Sequence, residues 1–140
     1  MGKNINSLES LVQDYRNELP EPAPEWPSEV REMMLFLNEH LFDKNLSIKK
    51  AKSNCYSNGN NISTLFKHYV GESPKEYVIK HRLEAGKRLL TNRHLSGVTI
   101  FVVSICLGYS GSGAFSHMFK KKTGMPPSEW REKKLAEVAE

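Results

Sequence analysis

The sequence predicts an all-α protein with two helix-turn-helix subdomains joined by a long shared helix, about seven helices in total. A short N-terminal helix and a proline-rich linker are expected to precede them. Three observations predict this fold class: an internal repeat, helical spacing of apolar residues along most of the chain, and strong start and stop signals around one long helix between the repeats.

The internal repeat relates residues 51–77 to residues 104–130 at a constant offset of 53 positions without a gap. The matching pairs are Ala51/Ser104, Tyr56/Tyr109, Ser57/Ser110, Ile62/Phe115, Ser63/Ser116, Leu65/Met118, Phe66/Phe119, Lys67/Lys120, Gly71/Gly124, Pro74/Pro127, Glu76/Glu129 and Tyr77/Trp130. Each copy supplies a small residue on one helix, a turn, and a second amphipathic helix, which are the parts of a helix-turn-helix. Two such units predict a protein that binds two successive segments of DNA major groove.

Length and charge are compatible with that function but do not establish it. A chain of 140 residues suffices for one ordinary domain with its own core. Residues 1–27 hold two basic and five acidic residues, so the remainder has 18 basic against 11 acidic. A basic body of this kind favours polyanions, although many proteins that never bind nucleic acid are as basic.

The cysteines and the hydropathy predict a cytoplasmic protein. Cys55 and Cys106 lack CxxC spacing, and helical periodicity places both as buried or half-buried structural thiols. No apolar run reaches the roughly 18 residues of a membrane helix, and the N-terminus lacks the order of a signal peptide.

The first part of the chain predicts a helix, a linker and the start of the main domain. Residues 5–19 have helical spacing, and four prolines between residues 20 and 27 predict an extended linker. The main domain is expected over residues 28–134, with residues 135–140 as a tail. Its first helix begins near Ser28 and packs one apolar face into the core.

The first helix-turn-helix unit is expected to begin at Ser47, a plausible helix cap. A polar turn at residues 56–60 leads to a second helix over about 60–70 that ends at Gly71. Four residues of this helix are predicted to face inward: Ile62, Leu65, Phe66 and Tyr69.

The long helix between the repeats has the strongest start signal. Residues 73–76 combine a capping box with a proline at the first helical position, so a helix should run from there to about Thr91. Gly86 in its interior predicts the close approach of another backbone. Arg82 has two open interpretations, a bridge to a carboxylate such as Glu84 or to another lobe.

The second unit begins in a segment with strand propensity, residues 98–107, which we predict to be helical because a solitary strand would leave its backbone groups unpaired. Phe101, Val102 and Ile105 then face away from the main apolar stripe. They either reach the long helix, as we expect, or form an exposed apolar patch. A helix over 112–123 follows, and a last one runs from Pro127 to about Leu135.

Several ordered motifs resemble the DNA-binding domain of the AraC/XylS family of bacterial transcription regulators over residues 28–134. The motifs that carry the resemblance are Phe66-Lys67, Gly71, Tyr77, Arg82-Leu83, Leu89-Leu90, Ile100, Val103, Gly108-Tyr109-Ser110, Phe115, Phe119-Lys120-Lys121, Gly124, Pro127, Glu129 and Trp130-Arg131. The resemblance implies a seven-helix, two-lobed domain whose third and sixth helices, about residues 60–70 and 112–123, enter adjacent major grooves of a promoter. It also implies activation of transcription by contact with RNA polymerase.

The chain departs from the family pattern in several places. The turn of the first unit looks one residue longer than expected, and Ser104 stands where alanine is usual. Only 27 residues precede the domain, whereas family members often carry a large effector-binding domain. The chain is therefore either a stand-alone regulator or a fragment, and we expect no effector ligand within it.

The candidate DNA contacts lie on the predicted recognition helices and beside them. Polar side chains there are expected to meet base edges, and lysines are expected to meet phosphates. The base-reading candidates are Asn60, Asn61, Ser63, Thr64, Ser112, Gly113, Ser116 and His117. The phosphate candidates are Lys49, Lys50, Lys52, Lys67, Lys120 and Lys121. The competing interpretation is a solvated helix face that serves solubility alone.

No motif predicts catalysis, a cofactor or a metal site. The five histidines match no zinc spacing, and no nucleophile elbow or phosphate loop occurs. Two alternatives to a regulator stay open. One is a domain of a cysteine-based alkyl-transfer repair protein, and the other is a non-catalytic interaction module that uses a patch at Phe101, Val102 and Ile105.

Overall fold

The computed structural model describes the backbone of residues 2–54 and 61–139 and the side chains of residues 7–54 and 61–137. These ranges contain helices and no strands, which confirms the all-α prediction. The α-helices are α1 (Gly2–Asn17), α2 (Ser28–Glu39), α3 (Ile48–Ser53), α4 (Ile62–Val70), α5 (Pro74–Thr91), α6 (Ile100–Cys106), α7 (Ser112–Thr123) and α8 (Pro127–Ala139). A short 3-10 helix, Arg93–Leu95, follows α5.

The helices form two lobes that share α5. In the first lobe α2 packs against α3 and α4, and both α2 and α4 contact α5. In the second lobe α6 packs on α7 and α7 on α8, while α6 and α8 return to α5. One continuous apolar core runs through both lobes. The long helix is therefore shared, as the sequence predicts.

The internal repeat is visible as two copies of one aromatic contact. Phe66 of α4 meets Tyr77 of α5 edge to face, with ring centroids 5.8 Å apart. Phe119 of α7 meets Trp130 of α8 in the same manner at 5.4 Å. Since each partner lies 53 positions after its counterpart, the repeat in the sequence is also a repeat in the packing.

Helix starts follow the predicted signals. The Ser47 hydroxyl accepts a hydrogen bond from the Lys50 backbone N–H at 3.1 Å, and the Ser73 hydroxyl accepts one from the Glu76 N–H at 3.2 Å. Thr99 caps α6 in the same way through the Val102 N–H. These caps satisfy N–H groups that have no partner inside their helices, so each helix begins where its cap lies.

The close contact at Gly86 differs from the prediction. A Cβ atom there would lie 3.0 Å from Leu107 Cδ1 and 3.3 Å from the ring of Phe115, both side-chain atoms of the second lobe. The prediction of an approaching backbone was wrong, because the missing side chain makes room for apolar packing instead.

The N-terminal segment packs on the body of the protein, which its sequence did not reveal. Helix α1 contacts α5, α6 and the 3-10 helix, and Leu8, Tyr15 and Leu19 are buried. The Asn38 side-chain amide of α2 donates to the Pro20 carbonyl at 3.0 Å, so the start of the linker is held as well. Leu8, Tyr15 and Leu19 therefore belong to the core, and this segment is docked on the body of the protein.

Three further predictions, two about side-chain burial and one about the end of α8, need correction. Tyr69 is 39% exposed, and it lies in the last turn of α4 rather than within the buried stripe of Ile62 and Phe66. Phe101 and Ile105 are 54% and 43% exposed, because the short α6 buries only the residues that face α1, α5 and α7. Helix α8 continues to Ala139, beyond the expected end at Leu135.

None of the helices in the described ranges is long and apolar enough to cross a membrane.

Candidate nucleic-acid interface

Helix α4 presents a polar face because its apolar residues are anchored in the first lobe. Ile62 and Phe66, one turn apart, are almost fully buried. Thr64 and Lys67 are exposed on the opposite side, and Ser63 is half-buried beside them. The helix therefore shows hydroxyl and ammonium groups to solvent, as its sequence predicts.

Helix α7 repeats this arrangement in the second lobe. Phe115 and Phe119 are buried at positions equivalent to Ile62 and Phe66. His117 is exposed, whereas Ser112 and Ser116 are half-buried. Both helices combine an apolar face that packs in the core with a polar outer face. A recognition helix needs both, because one face holds it on the protein and the other meets the DNA.

The starts of the two helices differ in the groups that they offer. Asn61 directly precedes α4, is exposed, and makes no capping hydrogen bond with its side chain, so its amide is available. Gly113 in the first turn of α7 offers only backbone, and a Cβ atom there would meet nothing within 4 Å. Asn60 and the turn at residues 56–60 lie outside the described residues, as does the predicted extra residue in that turn.

The six candidate lysines are solvent-accessible. Lys49 and Lys50 of α3 are exposed and Lys52 is half-buried, while Lys67, Lys120 and Lys121 are exposed on α4 and α7. Within residues 7–54 and 61–137 none of the six forms an ion pair. Their charge is therefore not neutralised within that part of the protein.

The neighbouring Lys122 has a different role. Its ammonium lies 3.3 Å from the Glu76 carboxylate at the start of α5. Lysines at the end of α7 also interact favourably with the negative end of the helix dipole. Lys122 is thus paired within the protein, whereas Lys120 and Lys121 form no ion pair among the residues that the structure describes.

Arg82 does not belong to this polar surface. Its Nε donates to the Leu41 carbonyl at 2.7 Å and its Nη2 to the Asp43 carbonyl at 3.0 Å, both just beyond the end of α2. Glu84 pairs instead with Lys87 at 3.3 Å. Of the two open interpretations, the bridge to Glu84 is wrong and the contact with another lobe is correct.

Sequence reasoning missed a buried polar pair beside α5. The Tyr15 hydroxyl and His81 Nδ1 share a hydrogen bond of 2.7 Å. Burial lowers the pKa of His81 to about 4 and raises the pKa of Tyr15 to about 12, so both groups are neutral near pH 7. The available signal was the position of His81, four residues after Tyr77 on the buried stripe of α5.

Other reactive groups are not assembled into a site in the described ranges. Burial raises the pKa of the half-buried Cys106 thiol, and Cys55 lies outside those ranges. His40 is bonded to Asp43 at 2.6 Å. Across the residues described, no three His, Cys, Asp or Glu side chains are grouped so that they could hold a metal ion.

The family comparison agrees with this geometry. Residues 57–133, which contain both polar faces, match the family described as a helix-turn-helix domain. The uncharacterized HTH-type transcriptional regulator YobQ of Bacillus subtilis is 35% identical over 126 residues, or 90% of this chain and 48% of that protein. The arabinose operon regulatory protein of Escherichia coli K12 is 30% identical over 139 residues, or 96% and 47%. The chain thus spans about half the length of these relatives.

The same fold occurs in a domain whose structure was solved in complex with DNA. The DNA-binding domain of AdpA, a global transcriptional factor crystallised with a target DNA, superposes with a TM-score of 0.70. The match covers 81% of this chain and 99% of that domain at 19% identity. At this identity the likeness establishes the arrangement of helices and leaves the contacts of individual side chains to be argued from this chain.

Proposed function

The chain belongs to the AraC family of helix-turn-helix transcription regulators, and we propose that it binds promoter DNA with α4 and α7 in adjacent major grooves. One observation carries this proposal: both helices anchor an apolar stripe in the core and expose a polar face, at equivalent positions of the repeat. A single amphipathic helix with a polar outer face is common. Two equivalent ones on a shared helix are what two successive grooves require.

Base reading is proposed for the polar residues at the starts and outer faces of the two helices. In the first lobe Asn60 and Asn61 supply amides that can bond an adenine edge at two points, and Ser63 and Thr64 supply hydroxyls. In the second lobe His117, Ser112 and Ser116 offer single hydrogen bonds, and Gly113 offers close backbone approach. We expect the first lobe to discriminate sequence more strongly, because bidentate contacts discriminate better than single ones.

Phosphate contact is proposed for the accessible lysines on both lobes. Lys49, Lys50 and Lys52 lie on α3, which precedes the first recognition helix, and Lys67, Lys120 and Lys121 lie on the recognition helices. Each lysine that neutralises a phosphate releases condensed counterions, so affinity falls as salt rises.

A selection of bound duplexes from random DNA, followed by titration at several salt concentrations, tests the proposal. We expect one enriched motif with two half-sites about 10 base pairs apart and a clear negative slope of log affinity against log salt. Failure to enrich any motif, or equal affinity for unrelated duplexes, would contradict it.

Activation through RNA polymerase is a further part of the proposal. The exposed side chains of Phe101 and Ile105, with half-buried Val102 between them, form an apolar patch on α6 that is available to a protein. This patch also supports the second candidate function, a non-catalytic protein-interaction module.

A double substitution separates the two roles. Replacing Phe101 and Ile105 by serine should leave affinity for the selected duplex unchanged and reduce transcription from a promoter that carries it, measured with purified polymerase. A variant with Lys67 and Lys120 replaced by alanine should lose DNA affinity. If only protein binding, and no DNA binding, depends on these four residues, the interaction module is the better description.

We also propose that the chain has no catalytic activity of its own. Alkyl transfer needs a thiolate, and burial raises the pKa of the Cys106 thiol, which favours its protonated form. Incubation with methylated DNA should leave the mass of the chain unchanged. A gain of one methyl group on Cys55 or Cys106 would revive the repair alternative.

A further inference from the structure

The Arg82 side chain connects the two lobes through polar and cation–π contacts. It lies in the middle of α5, and its Nε and Nη2 donate to the carbonyl oxygens of Leu41 and Asp43 at 2.7 and 3.0 Å. Those carbonyls belong to the chain that leaves α2, so this end of the guanidinium holds the first lobe. Two hydrogen bonds from one planar group fix both its position and its angle.

The same guanidinium also contacts the second lobe. Its central carbon lies 5.3 Å from the centre of the Tyr109 ring, a cation–π distance. Tyr109 and Gly108 form the turn between α6 and α7, which is the turn of the second helix-turn-helix. Arg82 is therefore held between the exit of α2 and the entry to the second recognition helix.

Gly108 shows how closely these parts approach one another. A Cβ atom on Gly108 would lie 2.8 Å from Arg82 Nη2 and 3.0 Å from the backbone carbonyl carbon of Phe42. Its φ of +97° is also one that other residues rarely adopt. Backbone of the first lobe, the guanidinium and the second turn are thus in direct contact, without room for another side chain.

The chemistry of this contact requires arginine. Burial lowers the pKa of Arg82, while Asp43 and Tyr109 act in the opposite direction, and a guanidinium remains charged in any case. A lysine keeps the charge but cannot offer two donors at the fixed angle of a planar fork.

We propose that Arg82 is a positioning residue for DNA binding, which sets the distance and angle between the two recognition helices and so makes the protein select sites by half-site spacing. This inference rests on the proposed function. A rigid connection raises the effective concentration of the second lobe at one spacing and lowers it at others. An inserted base pair shifts the second groove by roughly 3.4 Å and turns it by roughly 35° about the DNA axis, so a rigid pair of lobes is sensitive to it.

The test measures affinity for a series of duplexes that differ only in half-site spacing. The selected duplex is compared with duplexes that carry one or two extra base pairs between the half-sites, and with an isolated half-site. The native chain should lose at least about 30-fold in affinity on insertion of two base pairs, and R82M should lose only about 3-fold. Both should bind the isolated half-site within about twofold of each other.

Two further variants separate positioning from stability. R88M is the matched control, because Arg88 also lies on α5 but its side chain pairs with Glu18 and lies over the Tyr15 ring, both in the N-terminal segment. It should keep the native spacing profile. R82K should lie between the native chain and R82M, and it decides the question if circular dichroism shows R82M to be unfolded at the assay temperature.

The possible outcomes are distinct. A folded R82M or R82K with the native spacing profile would overturn the inference. So would an equal loss of affinity for all duplexes and the half-site, since that is the mark of a merely structural role. A native chain that enriches no duplex would instead contradict the proposed function.

Discussion

A single histidine illustrates how buried polar groups are accommodated in this fold. The ring of His81 lies on α5 between Tyr15, its hydrogen-bond partner, and the ring of Tyr77, whose centre is 4.5 Å away. Burial and the nearby Lys80 lower its pKa to about 4, and Glu84 acts in the opposite direction. The neutral form is the one that fits, so folding is coupled to the loss of a proton below neutral pH.

This coupling predicts lower stability in mild acid. The folded pKa of His81 lies below the ordinary value of 6.5, so its contribution is complete above about pH 6.5 and is lost as pH falls towards 4. The free energy of unfolding should fall by up to about 3 kcal/mol in that window, as urea denaturation at pH 7, 5.5 and 4.5 would show. His81→Gln should flatten the profile, whereas the exposed His117→Gln should not. An unchanged profile in His81→Gln would contradict the assignment.

Replacement of the glycines that end α4 and α7 should lower stability through backbone strain alone. Gly71 and Gly124 have φ of +100° and +91°, and a Cβ atom at either would meet nothing within 4 Å. Replacement by alanine should therefore cost about 1–2 kcal/mol from conformational strain alone, measured by thermal or urea unfolding. Gly97→Ala is the matched control, since Gly97 has equally open surroundings without a positive φ. Equal effects at all three positions would show that the positive φ of Gly71 and Gly124 is not the source of the cost.

At the scale of helices, the sequence did not indicate that α1 packs on the body of the protein and contributes to its stability. Leu8 is fully buried and lies in a helix that contacts α5, α6 and the 3-10 helix. The acidic N-terminal segment is tied further by the pair between Glu18 and Arg88, whose atoms are 2.5 Å apart. The segment therefore contributes to the stability of the second lobe and of α5.

Truncation of one side chain in α1 tests this contribution. Leu8→Ala should lower the free energy of unfolding by about 2–4 kcal/mol, because it leaves a cavity in a closed core. Leu35→Ala on α2, where the side chain is 53% exposed, should change it by less than about 0.5 kcal/mol. Similar small effects in both variants would mean that α1 is not docked in solution.

The lysines on the proposed recognition helices should determine how steeply DNA affinity falls with salt. Lys120→Ala should reduce the slope of log affinity against log salt by about one unit, because one phosphate contact is lost. Lys133→Ala on α8, an exposed lysine without an ion pair in the described ranges, should leave the slope unchanged. The same reduction for both lysines would indicate general attraction to a polyanion rather than a placed contact.

The whole molecule consists of two lobes with related packing on one shared helix. Its repeated contacts, Phe66 with Tyr77 and Phe119 with Trp130, join residues close in sequence, and the 53-residue offset indicated that the two pairs are equivalent. The contact of Arg82 with both lobes depends on residues up to 41 positions apart. The spacing between the DNA-binding faces is therefore a property of the assembled molecule, and the duplex series described above tests it at that scale.

Local signals explain why most elements could be predicted. Ser47 and Ser73 act as caps through bonds to N–H groups three residues later, and Gly71 ends its helix through its own backbone freedom. The errors at Phe101, Tyr69 and Gly86 share another cause. Whether a face is covered, and by what, depends on the elements packed against it, which periodicity does not specify.

The amino-acid sequence alone determined the helices, the repeated units and the polar faces of the candidate recognition helices, because caps, turns and apolar stripes act over a few residues. Tertiary structure decided that α1 docks on the body, that His81 is buried and neutral, and that Arg82 joins the lobes. These features arise from contacts between distant segments, whose free energy exists only once the chain has brought them together.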